Sequence, residues 1–355
     1  MKSAEALLIL TRMGIGTYSG KITDIIDWTA VHALAEQQGL TGVLLDAIDN
    51  LPTEQRPPKE LALQWIGEVL HGYEFRYELC CRAIADLAAF FNAHEVKVMV
   101  LKGYACSLNW PKPAHRPVGD IDIWQFGEHK KGNSLIRSEK RIKIDNSLHH
   151  HTVFNWQSFS VENHYDFINK HHHKGNIELE KLFKDLGNDD SYSTILYGEQ
   201  VYLPSPNLHA LFLIKHAMTD FASVSVSLRQ LLDWAFHVRK YSNVIDWKWL
   251  LEVVEKNHMA VFYNCINAIC VEDLGFSPNM FPKIQYNPFL KEKVLNDILF
   301  PRFSNHEPSF LLPRLIYKYK RWKANKWKLQ LCYDESSWSA FWHGVWNHIL
   351  KPSSL

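Results

Sequence analysis

The chain has 355 residues, 46% hydrophobic and 22% charged, proportions that exclude a disordered, collagen-like or mucin-like protein and leave room for two or three packed units. Lys and Arg total 39 against 38 Asp and Glu, a formal charge of +1, so a nucleic acid or anionic membrane would have to be met by a local patch. Six cysteines without paired CxxC spacing argue against a disulfide-stapled module and a zinc ribbon, and read as reduced thiols.

In chain order, the apolar run at residues 6–10 is too short for a secretory core. No uncharged apolar stretch reaches the roughly 18 residues of a membrane span. A cytoplasmic protein without a transmembrane segment is expected. From Ser3 to about Phe91 apolar residues recur at three and four, as in Trp28, Val31, Leu34 and later Leu61, Trp65, Leu70. That spacing predicts amphipathic helices, broken at Gly39 and between Pro52 and Pro58.

At His94 the period changes. Val96, Val98 and Val100 alternate into Leu101 and predict a strand ended by Gly103, with a short helix from Tyr104 towards Trp110. Val118 to Trp124 alternates again. Further strands are expected at Arg141–Asp145, Thr152–Trp156 and Phe159–Phe167, with Gln157-Ser158 as a turn, while residues 127–131 show no apolar helix. Helical spacing returns at Leu208, Leu211 and Phe212, then Leu228, Leu231 and Leu232. The expected class is α+β: a small mixed sheet flanked by helices, with a helical region over 1–94, a core sheet over 95–190 and a helical C-terminal domain over 191–355 ending in a basic, aromatic tail.

The segment Gly119-Asp120-Ile121-Asp122-Ile123 carries the strongest chemical signal. In a strand, Asp120 and Asp122 share one face about 7 Å apart while the isoleucines enter the core. Two like charges so placed call for a cation, and Mg²⁺ takes one or two carboxylates together with substrate phosphates. Upstream, Lys102-Gly103 ends a strand where backbone N–H groups would receive a phosphate, and Lys102 and Arg116 add positive charge. Downstream, Glu162, His164 and Asp166 alternate on one strand face. Glu162 supplies a third carboxylate for a two-metal site, and His164 would orient it or contact nucleotide.

The set Leu101-Lys102-Gly103, Arg116-Pro117-Val118-Gly119-Asp120-Ile121-Asp122 and Val161-Glu162-Asn163-His164 resembles the bacterial nucleotidyltransferase family of DNA polymerase β type fold, with its LKG, RPxGDxD and V-E-L-H strings. Leu228-Arg229-Gln230-Leu231-Leu232-Asp233-Trp234 and Asp246-Trp247 extend the likeness over most of residues 25 to 275. The resemblance implies that Asp120, Asp122 and Glu162 are catalytic and bind Mg²⁺, as two ions with bound NTP or with Mn²⁺ in their place. It implies that Gly103 lies against the nucleotide phosphates, with Lys102, Tyr104, Arg116, Gly119, His164 and Arg229 completing the nucleotide site. The implied reaction moves a nucleoside monophosphate from an NTP to an acceptor: a small molecule, a saccharide, a protein or an RNA. Tyr104 stands where the superfamily favours Ser or Gly, and Asn163 where the family often has Leu. These departures motivate the alternative of a catalytically inactive nucleotide- or protein-binding module on the same fold.

Other signals read as structural. The runs His149–His151 and His171–His173 are taken as solvated loops or strand edges, because neighbours in a strand face opposite ways. Arg229 and Asp233 are spaced for an ion pair along one helix. Residues 314–328 hold seven basic and no acidic residues, interleaved with Tyr317, Tyr319, Trp322 and Trp327. They form a candidate RNA or membrane-surface contact, although a helix packing its aromatics on the body is the simpler account. Walker, GxSxG and HExxH patterns do not occur.

Overall fold

The computed structural model describes residues 1–333 apart from 23, 148, 149, 171, 172, 174, 304–307 and 309. His149, His171, His172 and the tail beyond Tyr333 therefore lie outside the described residues. Two compact units interleave along the chain. One comprises residues 1–74, 110–116 and those described from Leu213 onward; the other comprises 75–109 and 117–212.

The first unit is helical. It begins with α1 (Ser3–Gly14), α2 (Trp28–Gln38), α3 (Thr41–Asp49) and α4 (Lys59–Val69). Asp27 caps α2 by accepting from Ala30 N, and Gly39 closes it at φ 66, where a side chain would be strained. Gly14 lets α1 lie close to α3, since a Cβ there would sit 2.0 Å from the Val43 carbonyl oxygen. Trp65, fully buried on α4, donates its indole N–H to Thr41 O at 2.9 Å. Truncating so large a buried side chain typically costs about 3–5 kcal/mol.

The second unit holds α5 (Phe75–Asn92), β1 (Met99–Val100), α6 (Lys102–Ser107), β2 (Ile121–Trp124), α7 (His129–Ser138), β3 (His151–Trp156), β4 (Phe159–His164), α8 (Asn176–Leu186), β5 (Ser193–Leu196) and β6 (Glu199–Tyr202). The strands form one mixed sheet ordered β3-β4-β2-β1-β6-β5. The neighbours β4–β2 and β1–β6 are parallel, and the other three adjacent pairs are antiparallel. Ile121, Ile123, Phe154, Phe159 and Val161 share a core cluster with Leu87 and Phe91 of α5 and Ile136 of α7. Alternation along β2 and β4 therefore sends Asp122, Glu162 and His164 to the opposite face.

The helices α9 (Pro206–Ser223), α10 (Leu228–Tyr241), α11 (Trp247–Lys256), α12 (Ala260–Glu272), α13 (Pro288–Leu299) and α14 (Leu311–Cys332) follow. Ser227 and Gln230 form a reciprocal cap at the start of α10. On α14, Lys328 is buried, donates to Val224 O at 2.6 Å and pairs with Asp297. Trp327 meets Phe221 edge to face.

Several local expectations change. The sheet extends through residues 193–202, where Tyr197 and Gly198 both take positive φ in a two-residue hairpin turn. These four-residue strands carry too few alternating apolar side chains to register in the sequence. Residues 141–145 contribute only an isolated bridge from Asp145 to Val153. The segment after Gly127 forms α7, because Gly132, Asn133 and Ile136 give it a buried face despite its charge.

Candidate active site

Parallel pairing sets Asp122 of β2 directly beside Glu162 of β4, and Trp124 beside His164. The β3–β4 hairpin then places His151 opposite His164. One donor atom each from Asp122, Glu162 and His164 lies within 4.8 Å of the others, and so do ring nitrogens of His150, His151 and His164. The two groups share His164.

Asp122 is 4% exposed. Its Oδ1 meets Lys102 Nζ at 2.8 Å and His164 Nε2 at 3.1 Å. Burial alone would raise this carboxyl, but the Lys102 ammonium and His164 hold it well below the usual carboxylate range. Burial likewise opposes charge on Lys102, yet Asp122, Glu162 and Asp120 together keep its pKa raised. Burial pushes Glu162 up, only partly offset by His164, whose Nε2 lies 3.7 Å from Glu162 Oε2. Burial would lower His164, but the two carboxylates prevail and raise it. Its Nδ1 faces the Asp166 carbonyl oxygen at 3.2 Å, so both nitrogens face acceptors and suit the doubly protonated ring. His151 is driven down to about 4 by burial and then by the charge on His164.

Asp120 stands at the exposed end of this face, outside the tight cluster, and acts electrostatically on Lys102 and Glu162. Gly119 is also exposed. Lys102 adopts φ 27, an uncommon conformation for a residue with a Cβ. Next to it Gly103 breaks the helical path of α6 close to the backbone of Asp120. Tyr104 is buried in the core and stacked on Tyr77, with its hydroxyl pushed up to about 12 by burial.

Arg116 and Arg229 belong to the helical unit. Arg116 is 4% exposed and grips Asp233 with two hydrogen bonds of 2.7 and 2.8 Å, while Trp110 donates to the same carboxylate at 2.8 Å. Asp233 is thus engaged by Arg116 and Trp110. Arg229 is half-buried on α10.

The chemistry of the donors decides which cation suits the site. Asp122 and Glu162 offer the oxygens hard Mg²⁺ prefers, and Asp120 adds a carboxylate at the open end. Lys102 already neutralises Asp122, so a metal there must share or displace that ammonium. The imidazole grouping was not foreseen, because a strand separates consecutive residues onto opposite faces. His150 lies just before β3, where its carbonyl accepts from Tyr165 N and Asp166 N at 3.0 Å each. The signal was present in the Gln157-Ser158 turn. A two-residue hairpin pairs residues counted back from Trp156 with those counted forward from Phe159, and so sets His151 opposite His164.

The mixed sheet thus carries the in-register acids Asp122 and Glu162 on one face and packs α5 and α7 against the other. The profile of a family described as "Uncharacterised nucleotidyltransferase" matches residues 24–275. This chain belongs to that family. Among solved structures, an antigenic nucleotidyltransferase-like protein from Paracoccidioides brasiliensis is similar at 13% identity and a TM-score of 0.34, covering 50% of this chain and 87% of that one. A search of curated proteins gave no match. Among the described residues no helix is long and apolar enough to cross a membrane.

Proposed function

We propose that the protein is a Mg²⁺-dependent nucleotidyltransferase that moves a nucleoside monophosphate from an NTP to an acceptor of undetermined class, a small molecule, saccharide, protein or RNA. The observation that carries this reading is the register of β2 with β4, which pairs Asp122 with Glu162 on one sheet face. Asp120, Asp122 and Glu162 would hold the metal, as two ions with bound NTP and with Mn²⁺ as a substitute. Bound there, Mg²⁺ neutralises charge on the reacting phosphates and activates the acceptor hydroxyl. Lys102, relieved of Asp122 by the incoming cation, would turn its ammonium to phosphate oxygens. Gly103 and Gly119 leave the backbone open to the same group. His164, tied to the Asp166 carbonyl, holds the two acids in place.

The ion pair between Lys102 and Asp122 favours a second reading, an inactive module in which an internal ammonium replaces the metal and the protein binds a nucleotide or protein partner. Incubation with each α-labelled NTP, Mg²⁺ and cell lysate separates the two. Label transferred to an acceptor, and lost in the Asp120→Asn, Asp122→Asn double variant, supports the enzyme. Label that persists undiminished in that variant defeats the site assignment, and NTP binding without transfer supports the module. Residues 314–328 remain a proposed contact for RNA or anionic membranes, tested by calorimetry with RNA and with anionic vesicles.

A further inference from the structure

We infer that the sheet face carries a transition-metal site of the Zn²⁺ type, adjoining the carboxylate cluster and sharing His164 with it, built from the imidazoles of His150, His151 and His164. The first observation is convergence: ring nitrogens of the three residues lie within 4.8 Å of one another. The second is His151 itself. Its side chain is 7% exposed, and both ring nitrogens are buried without a hydrogen-bond partner among the described residues. The nearest ionic group is Glu162 Oε1 at 3.5 Å, beyond hydrogen-bond length. A buried polar ring left in this state is unfavourable, and a metal ion would satisfy it.

The surroundings suit ligation. His164 directs Nδ1 to the Asp166 carbonyl oxygen, the outer contact that fixes the tautomer of a metal-binding histidine. Its Nε2, which meets Asp122 Oδ1 at 3.1 Å, would shed its proton and turn from that carboxylate to take the ion. His150 is anchored through its carbonyl to the end of β4, and His151 by the hairpin register. Glu162 approaches both His151 and His164, at 3.5 and 3.7 Å, and offers an oxygen as a fourth donor. Three imidazoles and one carboxylate favour Zn²⁺, Co²⁺ or Ni²⁺ over Mg²⁺, which prefers oxygen ligands throughout. The inference does not depend on nucleotidyl transfer, since the site is read by metal binding alone.

The test uses the full-length, tag-free protein stripped of metal and titrated with Co²⁺, then Zn²⁺, in a large excess of Mg²⁺. One Co²⁺ per chain with the strong visible absorption of four-coordinate cobalt, displaced by Zn²⁺, is expected. His151→Ala and His150→Ala should each weaken binding by about 100-fold, whereas a His171→Ala, His172→Ala variant should bind as the parent does. Failure of the parent to retain Zn²⁺ against Mg²⁺ overturns the site and needs no variant to fold. Binding lost only in the His171, His172 variant marks an adventitious site elsewhere in the chain and overturns it equally. NTP-dependent labelling in a protein that binds no Zn²⁺ would leave the proposed function standing while this inference falls.

Discussion

Lys102 Nζ lies 2.8 Å from Asp122 Oδ1, an ion pair with 18% and 4% of its side chains exposed, on the sheet face that also carries Glu162 and His164. Removing one partner of a buried pair costs about 3–5 kcal/mol because the other charge is left uncompensated. Lys102→Met should therefore lower unfolding free energy by about 3 kcal/mol in urea titrations. If Mg²⁺ binds these acids, adding it should recover more stability in Lys102→Met than in the parent, since the metal then replaces a missing charge. Equal Mg²⁺ effects in both proteins would argue that the metal does not enter beside Asp122.

The Arg116–Asp233 pair makes a parallel prediction for the helical unit. Asp233 accepts two bonds from Arg116 and one from Trp110. Asp233→Ala strands a buried guanidinium and should cost about 3–5 kcal/mol. Guanidinium chloride denaturation showing a loss below 1 kcal/mol (about 1 kcal/mol being typical of exposed pairs) would contradict this account.

Asn163 on the core side of β4 donates to Gln125 Oε1 at 2.9 Å and Asn133 Oδ1 at 3.0 Å, and Thr152 adds a bond to Asn133. Placing Leu here would leave the buried Gln125 and Asn133 amide oxygens without their donor. Asn163→Leu should destabilise by about 1–3 kcal/mol despite its greater hydrophobicity. Thermal unfolding would check this, and a raised Tm would refute it.

His115 gives the fold a pH dependence. Burial would lower its pKa, but Asp46 Oδ2 and Glu74 Oε1, each 2.9 Å from a ring nitrogen, prevail and raise it. The folded state then binds the proton more tightly than the unfolded chain. The added stability is fully present below the ordinary histidine value of about 6.5 and is lost as pH rises through the raised folded value. Unfolding free energies across neutral pH should show that decline, and His115→Gln should flatten it.

Much of the candidate site was legible in residue order. The two-residue period of Ile121 to Trp124 and of Val161 to His164 places Asp122 and Glu162 on strand faces, because backbone alternation is local. Asp120, in contrast, precedes β2, and Asp166 lies beyond β4, where it pairs with Lys170 and Lys184 instead of continuing the strand face. Gly39 and the proline-rich stretch before α4 mark helix ends through equally local torsional limits. α7 was hidden, since its buried face rests on Gly132, Asn133 and Ile136, two of which carry no hydrophobic signal.

What local chemistry could not reveal is which strands lie side by side. Strand periodicity, helix breaks and the acid motifs follow from torsional preference and alternation, and these belong to the polypeptide itself. The pairing of Asp122 with Glu162, the ammonium of Lys102 on Asp122, the capture of Arg116 by Asp233 and the meeting of three imidazoles follow from non-local packing. β2 joins β4 in parallel across an intervening helix and strand, and the energy that selects this neighbour comes from burying Ile121, Ile123 and Val161 together.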